Sequence, residues 1–322
     1  MPLRRLGCLA LLCAISAGAA AFDLQGHRGA RGLAPENTMA AFATALRTGV
    51  STLELDVGMS CDGVLIVAHD QHLNPALTRD SNGSWLVAPT PALSSLDAAE
   101  LQRFDVGRID PASRYAATFA QQQAVDGERL PTLDAVFSQV KAWGATEVHF
   151  NIETKIDPTQ PALTASPEAF VKALLEQLRR HGMQGRASVQ SFDWRTLKLV
   201  QARSPDIPTV ALTAQQRWLD NVADARWTAG LQLVDFGGSV PRLVKASGAA
   251  VWSPYFGDLN EALLAEAHAL GLRVVPWTVN DSAQIERLLQ WPLDGIISDY
   301  PDRVRQAMAQ RGMALPAPLK LP

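Results

Sequence analysis

The chain has 322 residues, enough for one large domain or two ordinary ones. Its hydrophobic share of 47% and charged share of 19% are those of a globular protein and exclude a disordered one. The formal net charge is −3 with no basic block, which argues against nucleic acid as a partner.

Residues 1–21, MPLRRLGCLALLCAISAGAAA, read as a secretory signal. Arg4 and Arg5 supply the positive start, Leu6 to Ala17 the short apolar core, and Ala19 to Ala21 the small residues for cleavage. The expected destination is the periplasm or the medium. No later stretch is apolar and long enough to span a membrane, so no stable span is expected after cleavage. Cleavage leaves Cys61 as the sole cysteine, so the core alone must hold the fold. The expected domain runs over 22–310, with a loose Pro-rich tail over 311–322.

Asp23 to Gly26 reads as a short strand entering His27. Asn37 or Thr38 caps a helix marked by Met39, Phe42, Ala43 and Leu46, and Gly49 ends it. Thr52 to Val57 is a strand, and Asp62-Gly63 signals a hairpin into Val64–Ala68. Residues 71–129 break the rhythm with Asn82-Gly83, Pro89 and Pro91, and read as an insertion with a small helix near Asp97–Gln102. Helices then follow over Leu133–Trp143, Pro167–His181, Trp194–Ala202, Trp218–Arg226, Leu259–Leu270, Ser282–Leu289 and Pro301–Met308. Strands are expected over Val148–Lys155, Ala187–Ser191, Thr209–Leu212, Leu231–Phe236, Val251–Ser253, Arg273–Trp277 and Asp294–Ser298. About eight strand–helix units favour a closed (β/α)8 barrel, a TIM barrel, with the insertion after the second strand region. An open doubly wound sheet is the alternative, but the first strand lacks the glycine fingerprint of a dinucleotide fold.

Side chains alternate along a strand, so Glu54 and Asp56 share a face, as do Glu153 and Lys155. Read alone, Glu54 and Asp56 could equally face solvent on an edge strand. Inside a barrel, two such carboxylates repel, and a divalent cation relieves the repulsion. Glu153 from a separate strand completes an all-oxygen set suited to Ca²⁺ or Mg²⁺. His72, His149, His181 and His268 read as structural. His27 and His69 differ, because each ends an apolar strand beside a charged neighbour. One neutral and one protonated imidazole make a general base and a general acid. With a metal between them the expected reaction is transfer at a phosphate ester, with Arg28 and Lys155 holding the non-bridging oxygens. Glu36 and Asn37 read first as helix-start residues, Asp70 as an orienting partner or a structural hydrogen-bond acceptor, and Phe192 as either core or pocket lining.

The order His-Arg-Gly, Pro-Glu-Asn-Thr, Glu-Leu-Asp-Val, Val-Ala-His-Asp, then Asn-Ile-Glu-x-Lys, resembles the glycerophosphodiester phosphodiesterase family. Trp277-Thr278-Val279-Asn280 and Asp294 to Pro301 are similar to its closing motifs. The resemblance covers roughly Leu24 to Met308. It implies a barrel enzyme that cleaves glycerophosphodiesters, such as glycerophosphocholine or glycerophosphoethanolamine, to glycerol 3-phosphate and an alcohol. It implies Glu54, Asp56 and Glu153 as metal ligands, His27 and His69 as the acid–base pair, Arg28 and Lys155 on phosphate, and Trp277 near the glycerol. Two other readings stand beside it. One is a related enzyme acting on intact phospholipid, for which the Ser84–Leu93 loop with Trp85 is the candidate membrane rim. The other is a catalytically silent phosphodiester-binding protein.

Overall fold

The computed structural model describes residues 21–321. The expected signal sequence lies outside the described residues except for Ala21. Among the described residues no helix is long and apolar enough to cross a membrane.

The strands in chain order are β1 (Asp23–Gly26), β2 (Thr52–Met59), β3 (Leu65–Val67), β4 (His149–Thr154), β5 (Ala187–Ser191), β6 (Thr209–Thr213), β7 (Gln215–Gln216), β8 (Leu219–Asp220), β9 (Val251–Pro254), β10 (Arg273–Val274) and β11 (Gly295–Ser298). The α-helices are α1 (Met39–Thr48), α2 (Ala98–Leu101), α3 (Arg114–Thr118), α4 (Leu133–Ala142), α5 (Pro167–His181), α6 (Trp194–Arg203), α7 (Val240–Ala246), α8 (Glu261–Ala269), α9 (Ser282–Leu288) and α10 (Pro301–Gln310).

Eight parallel strands run side by side in the order β10, β9, β6, β5, β4, β2, β1, β11. Backbone bonds from Asp294 N–H to Val274 O (3.1 Å) and Ile297 N–H to Pro276 O (3.0 Å) join the two ends into a nearly closed barrel. The open-sheet alternative is thereby excluded. Pro276 shortens β10 against the expected Arg273–Trp277, because it has no N–H to give to the ladder. β3 pairs antiparallel with β2 and so lies outside the ring.

The barrel's packing follows the amphipathic helices. Phe137, Val140, Phe170, Leu174, Trp194 and Leu197 are buried against Leu53, Leu55, Phe150 and Ile152, on the outward faces of β2 and β4. Thr38 caps α1 by accepting from Ala41 N–H at 3.2 Å, and Gly49 closes it at φ 88°. A second small core joins the insertion to β3, in which Leu73, Leu93, Leu101 and Val106 pack with Ile66 of β3 and with Leu130. An Asp97–Glu100 capping box starts its helix α2.

Three expectations are corrected. Trp218–Arg226 is not a helix. β7 and β8 form a tight hairpin there, and the buried Asn221 side chain bonds Ala214 N–H, Phe192 O and Leu212 O, which a helix could not serve. Leu231–Phe236 is not a strand but a 3-10 turn over Leu233–Phe236, closed by Gly237 at φ 64°. The tail after Arg311 is not loose. Leu319 N–H bonds Leu46 O at 2.9 Å, Arg305 Nη1 bonds Pro316 O at 2.5 Å, and Met313, Leu319 and Leu321 cover the α1 side of the core.

Candidate active site

Each acidic side chain is delivered by a strand and registered by its ladder. Asp56 on β2 lies beside Glu153 on β4, and Glu54 lies one step below beside Asn151. The period-two alternation puts all three carboxylates on the inner face near the C-terminal mouth, where this barrel class carries its chemistry. Glu54, Asp56 and Glu153 are 1%, 0% and 7% exposed. One oxygen from each lies within 4.8 Å of the others.

The turn after β1 explains the His-Arg-Gly run. Arg28 takes a left-handed φ of 50°, strained for a non-glycine residue, and its backbone N–H thereby reaches Glu54 Oε2 at 2.7 Å. Gly29 follows at φ 82°, and a Cβ there would stand 2.7 Å from the Ala41 carbonyl carbon. His27 Nδ1 meets Asp299 Oδ1 at 2.6 Å. Arg31 and Asn280 hold the same carboxylate, from Nε at 2.8 Å and Nδ2 at 2.6 Å. Across the mouth, His69 Nδ1 meets Asp70 Oδ1 at 2.7 Å, and Asn74 Nδ2 holds Asp70 Oδ2 at 2.7 Å. A carboxylate only accepts, so each imidazole carries its proton on Nδ1 and turns a bare Nε2 inward. His27 Nε2 stands 3.9 Å from Glu54 Oε2.

The electrostatics are those of crowded acids among cations. Burial pushes Glu54 well up, and Asp56 adds to it. Glu153 is pushed up to about 7 by burial, with Lys155 opposing and Asp56 reinforcing. Burial acts on Asp56 too, but Arg28, His69 and Lys155 outweigh it and hold the group below the usual carboxylate range. His69 is pushed down to about 4, first by burial and then by Arg28 and Lys155. His27 is lowered by burial against the pull of Asp299. Both rings are therefore neutral at pH 7.

Arg28 extends its Nε to 3.2 Å from Asp56 Oδ2 and its Nη1 to 2.6 Å from Glu36 Oε1. Lys155 Nζ lies 2.7 Å from Glu153 Oε1 and 3.9 Å from Asp56 Oδ1. Asp56 Oδ1 is buried with no hydrogen-bond partner. An orphaned carboxylate oxygen facing two further acids fits a cation's coordination shell, so the triad could hold a metal ion.

The cavity above these groups has a volume of about 230 Å³ and is walled by Phe192, Leu212, Trp218, Trp277 and Ile297. Trp277 packs edge-on to Phe192 at 5.3 Å between ring centroids, and its Nε1 donates to Ser253 O at 2.9 Å. Trp218, 59% exposed, leans on Tyr255 and Trp277 at 5.5 and 6.0 Å.

All eight sequence-predicted site residues meet here: His27, Arg28, Glu54, Asp56, His69, Glu153, Lys155 and Trp277. Asp70 orients His69 as expected, and Phe192 lines the cavity. Glu36 and Asn37 are more than helix-start residues. Glu36 pairs with Arg28, and Asn37 Nδ2 donates to Asp56 Oδ2 at 2.9 Å, while Thr38 alone does the capping. Sequence reasoning missed Arg31, Gln190, Trp218, Tyr115 and the anchoring role of Asp299. Only Asp299, inside a quoted motif, carried a signal that could have found it. Tyr115 arrives from the insertion, and its hydroxyl donates to Glu36 Oε2. Of the other histidines, His181 bonds Asp134 and His268 bonds Asp294, each at 2.9 Å.

A parallel barrel whose mouth gathers buried acids, paired imidazoles and guanidinium is the site of an enzyme that works on an anionic substrate. Residues 27–303 match the model of the glycerophosphoryl diester phosphodiesterase family. A glycerophosphodiester phosphodiesterase of Bacillus subtilis strain 168 is 30% identical over 282 residues, covering 86% of this chain and 83% of the relative. A solved structure from Silicibacter pomeroyi DSS-3, assigned as a glycerophosphoryl diester phosphodiesterase, superposes with a TM-score of 0.82 at 35% identity, covering 92% of this chain and 95% of the other. A phosphodiesterase of Oleispira antarctica, solved in complex with its product sn-glycerol-3-phosphate, shares the fold with a TM-score of 0.65 at 23% identity, covering 88% and 96%. The chain belongs to the glycerophosphoryl diester phosphodiesterase family, and is a phosphodiesterase of that family.

Proposed function

We propose that the protein hydrolyses glycerophosphodiesters, glycerophosphocholine and glycerophosphoethanolamine among them, to sn-glycerol 3-phosphate and an alcohol. The observation that carries this reading is the pair of imidazoles. Each is anchored at Nδ1 by its own carboxylate and bares Nε2 toward one cavity lined by Arg28, Glu54 and Glu153.

Glu54, Asp56 and Glu153 would hold one divalent cation, Ca²⁺ or Mg²⁺, since three carboxylate ligands and no thiolate suit a hard ion. When bound, the ion would supply Lewis-acid charge for a phosphoryl oxygen and neutralise the crowded acids. Arg28 and Lys155 would bind the non-bridging oxygens, and their fixed ion pairs keep both cations oriented before substrate arrives. One neutral Nε2 takes the proton of the attacking hydroxyl, and the leaving alkoxide takes its proton from the other imidazole, which must first gain one at Nε2 from solvent because both rings are neutral in the free protein. Asp299 and Asp70 stabilise whichever ring is charged. Trp277 and Phe192 give the glycerol an apolar wall and exclude water.

The test is turnover of glycerophosphocholine by chelator-stripped protein given each metal in turn, with His27→Ala and His69→Ala alongside. Restoration by Ca²⁺ or Mg²⁺ and a loss of about 10²–10⁴ in kcat in either variant are expected. A variant at wild-type rate removes the acid–base pair from the scheme, and a silent wild type favours a binding protein. The insertion gives little support to a membrane rim: Arg79 stacks over Trp85 at 5.6 Å, and Val87 alone in that loop is a strongly exposed large hydrophobic residue. Export rests on the leader alone. N-terminal sequencing of protein from the periplasmic or culture fraction should begin near residue 22.

A further inference from the structure

Beneath the acidic triad, three side-chain amides connect Glu54 to the N-terminal end of the barrel. Gln25 donates from Nε2 to Asp23 Oδ2 at 2.7 Å. Asn151 donates from Nδ2 in two directions, to Gln25 Oε1 at 2.9 Å and to Gln190 Oε1 at 2.8 Å. Gln190 donates in turn from Nε2 to Glu54 Oε1 at 2.6 Å. The Ser188 hydroxyl donates to Asn151 Oδ1 at 2.9 Å. Gln25, Asn151, Gln190 and Glu54 are each at most 5% exposed, so water is a poor substitute for any of these partners.

The direction of this chain is determined by its ends. Asp23 can only accept, and so can Glu54 in the ionised form that a cation ligand takes. An amide side chain has one accepting and one donating end, so a row of amides facing the same way would serve one carboxylate and repel the other. A row that serves both needs a member that donates both ways, and Asn151 is that member. Its two N–H groups hold the oxygens of Gln25 and Gln190, which turns both glutamine NH₂ groups outward. In the reverse orientation, Gln190 would aim its oxygen at Glu54.

We propose that Asn151 is a positioning residue for Glu54. Through Gln190 it holds a donor on Oε1, while the Arg28 backbone N–H holds Oε2 at 2.7 Å. The carboxylate is thereby kept in one rotamer, its remaining lone pairs aimed at the point it shares with Asp56 and Glu153. The inference rests on Glu54 being a cation ligand. The Asp23 arm, by the same logic, serves the barrel floor and not the site.

The experiment is calorimetric titration of chelator-stripped protein with MgCl₂ and with CaCl₂, with thermal melts in chelator to confirm folding. Asn151→Leu, close in volume and unable to donate, should weaken divalent binding about tenfold, the usual effect of losing a support behind a ligand. Gln25→Leu cuts only the Asp23 arm and should bind within twofold of wild type. If Asn151→Leu does not fold, Gln190→Met takes its place and should also lose about tenfold. Wild-type affinity in Asn151→Leu, or in its Gln190→Met substitute, overturns the proposal. So does an equal loss in Gln25→Leu, which would mark the row as merely structural. A wild-type chain that binds neither ion sinks the cation reading and this inference together.

Discussion

Replacing Glu153 with glutamine should make the metal-free protein more stable and the metal-binding protein worse. Glu153 sits at about 7 against an ordinary 4.5, raised by burial and by Asp56 against the pull of Lys155. Between pH 4.5 and 7 the folded chain keeps a proton that the unfolded chain has released. Stability therefore falls as pH rises through that window, by about 3 kcal/mol for a shift of this size. Glutamine does not titrate, and it keeps a carbonyl for Lys155 Nζ, now without the charge. Because the raised value already includes the pull of Lys155, Glu153→Gln should be ahead by about 3 kcal/mol at pH 8. For a chain of this length that corresponds to roughly 5 °C in Tm. The assay is thermal melting of both proteins in chelator at pH 5 and pH 8. At pH 5 the folded wild-type acid is protonated and the gap should shrink to about 1 kcal/mol or less. At pH 8 the variant should melt higher, while its affinity for added Ca²⁺ or Mg²⁺ drops. A gap that does not change with pH, or a variant that is the less stable at pH 8, would refute the account of a crowded, under-compensated acid.

Three further outcomes follow from named contacts. Asp299→Asn removes the negative charge that stabilises a protonated His27 and puts an NH₂ in place of one accepting oxygen, which can force the wrong tautomer, so kcat should fall about 10²-fold or more. Tyr115→Phe removes the hydroxyl that holds Glu36 against Arg28, and should raise KM for the diester several-fold with a smaller effect on kcat, read by steady-state kinetics. Deleting 313–322 strips the Leu319–Leu46 and Pro316–Arg305 bonds from the α1 side of the core, and should lower Tm by several degrees without changing kcat/KM.

Much of this site is local in sequence. Glu54 and Asp56 share a face because a strand alternates, and the same rule pairs Glu153 with Lys155. Helices such as Pro167–His181 announce themselves by a cap, a 3.6-residue apolar repeat and a closing glycine, so their bounds were readable. The misread stretches lack such periodicity. Trp218–Arg226 and Leu231–Phe236 obtain their conformation from partners elsewhere, such as the backbone atoms held by Asn221.

The sequence by itself determined the barrel rhythm, the acids on strand faces and the two histidines at strand ends, because these depend on spacing within a few residues. Only the tertiary structure decided which groups satisfy them. Asp299 reaches His27 across 272 residues, Gln190 reaches Glu54 across 136, and Tyr115 reaches Glu36 across 79. Such pairings come from barrel closure and from the insertion folding back over the mouth. A buried polar atom takes whatever partner the finished packing brings within 3 Å, and no local pattern encodes that partner.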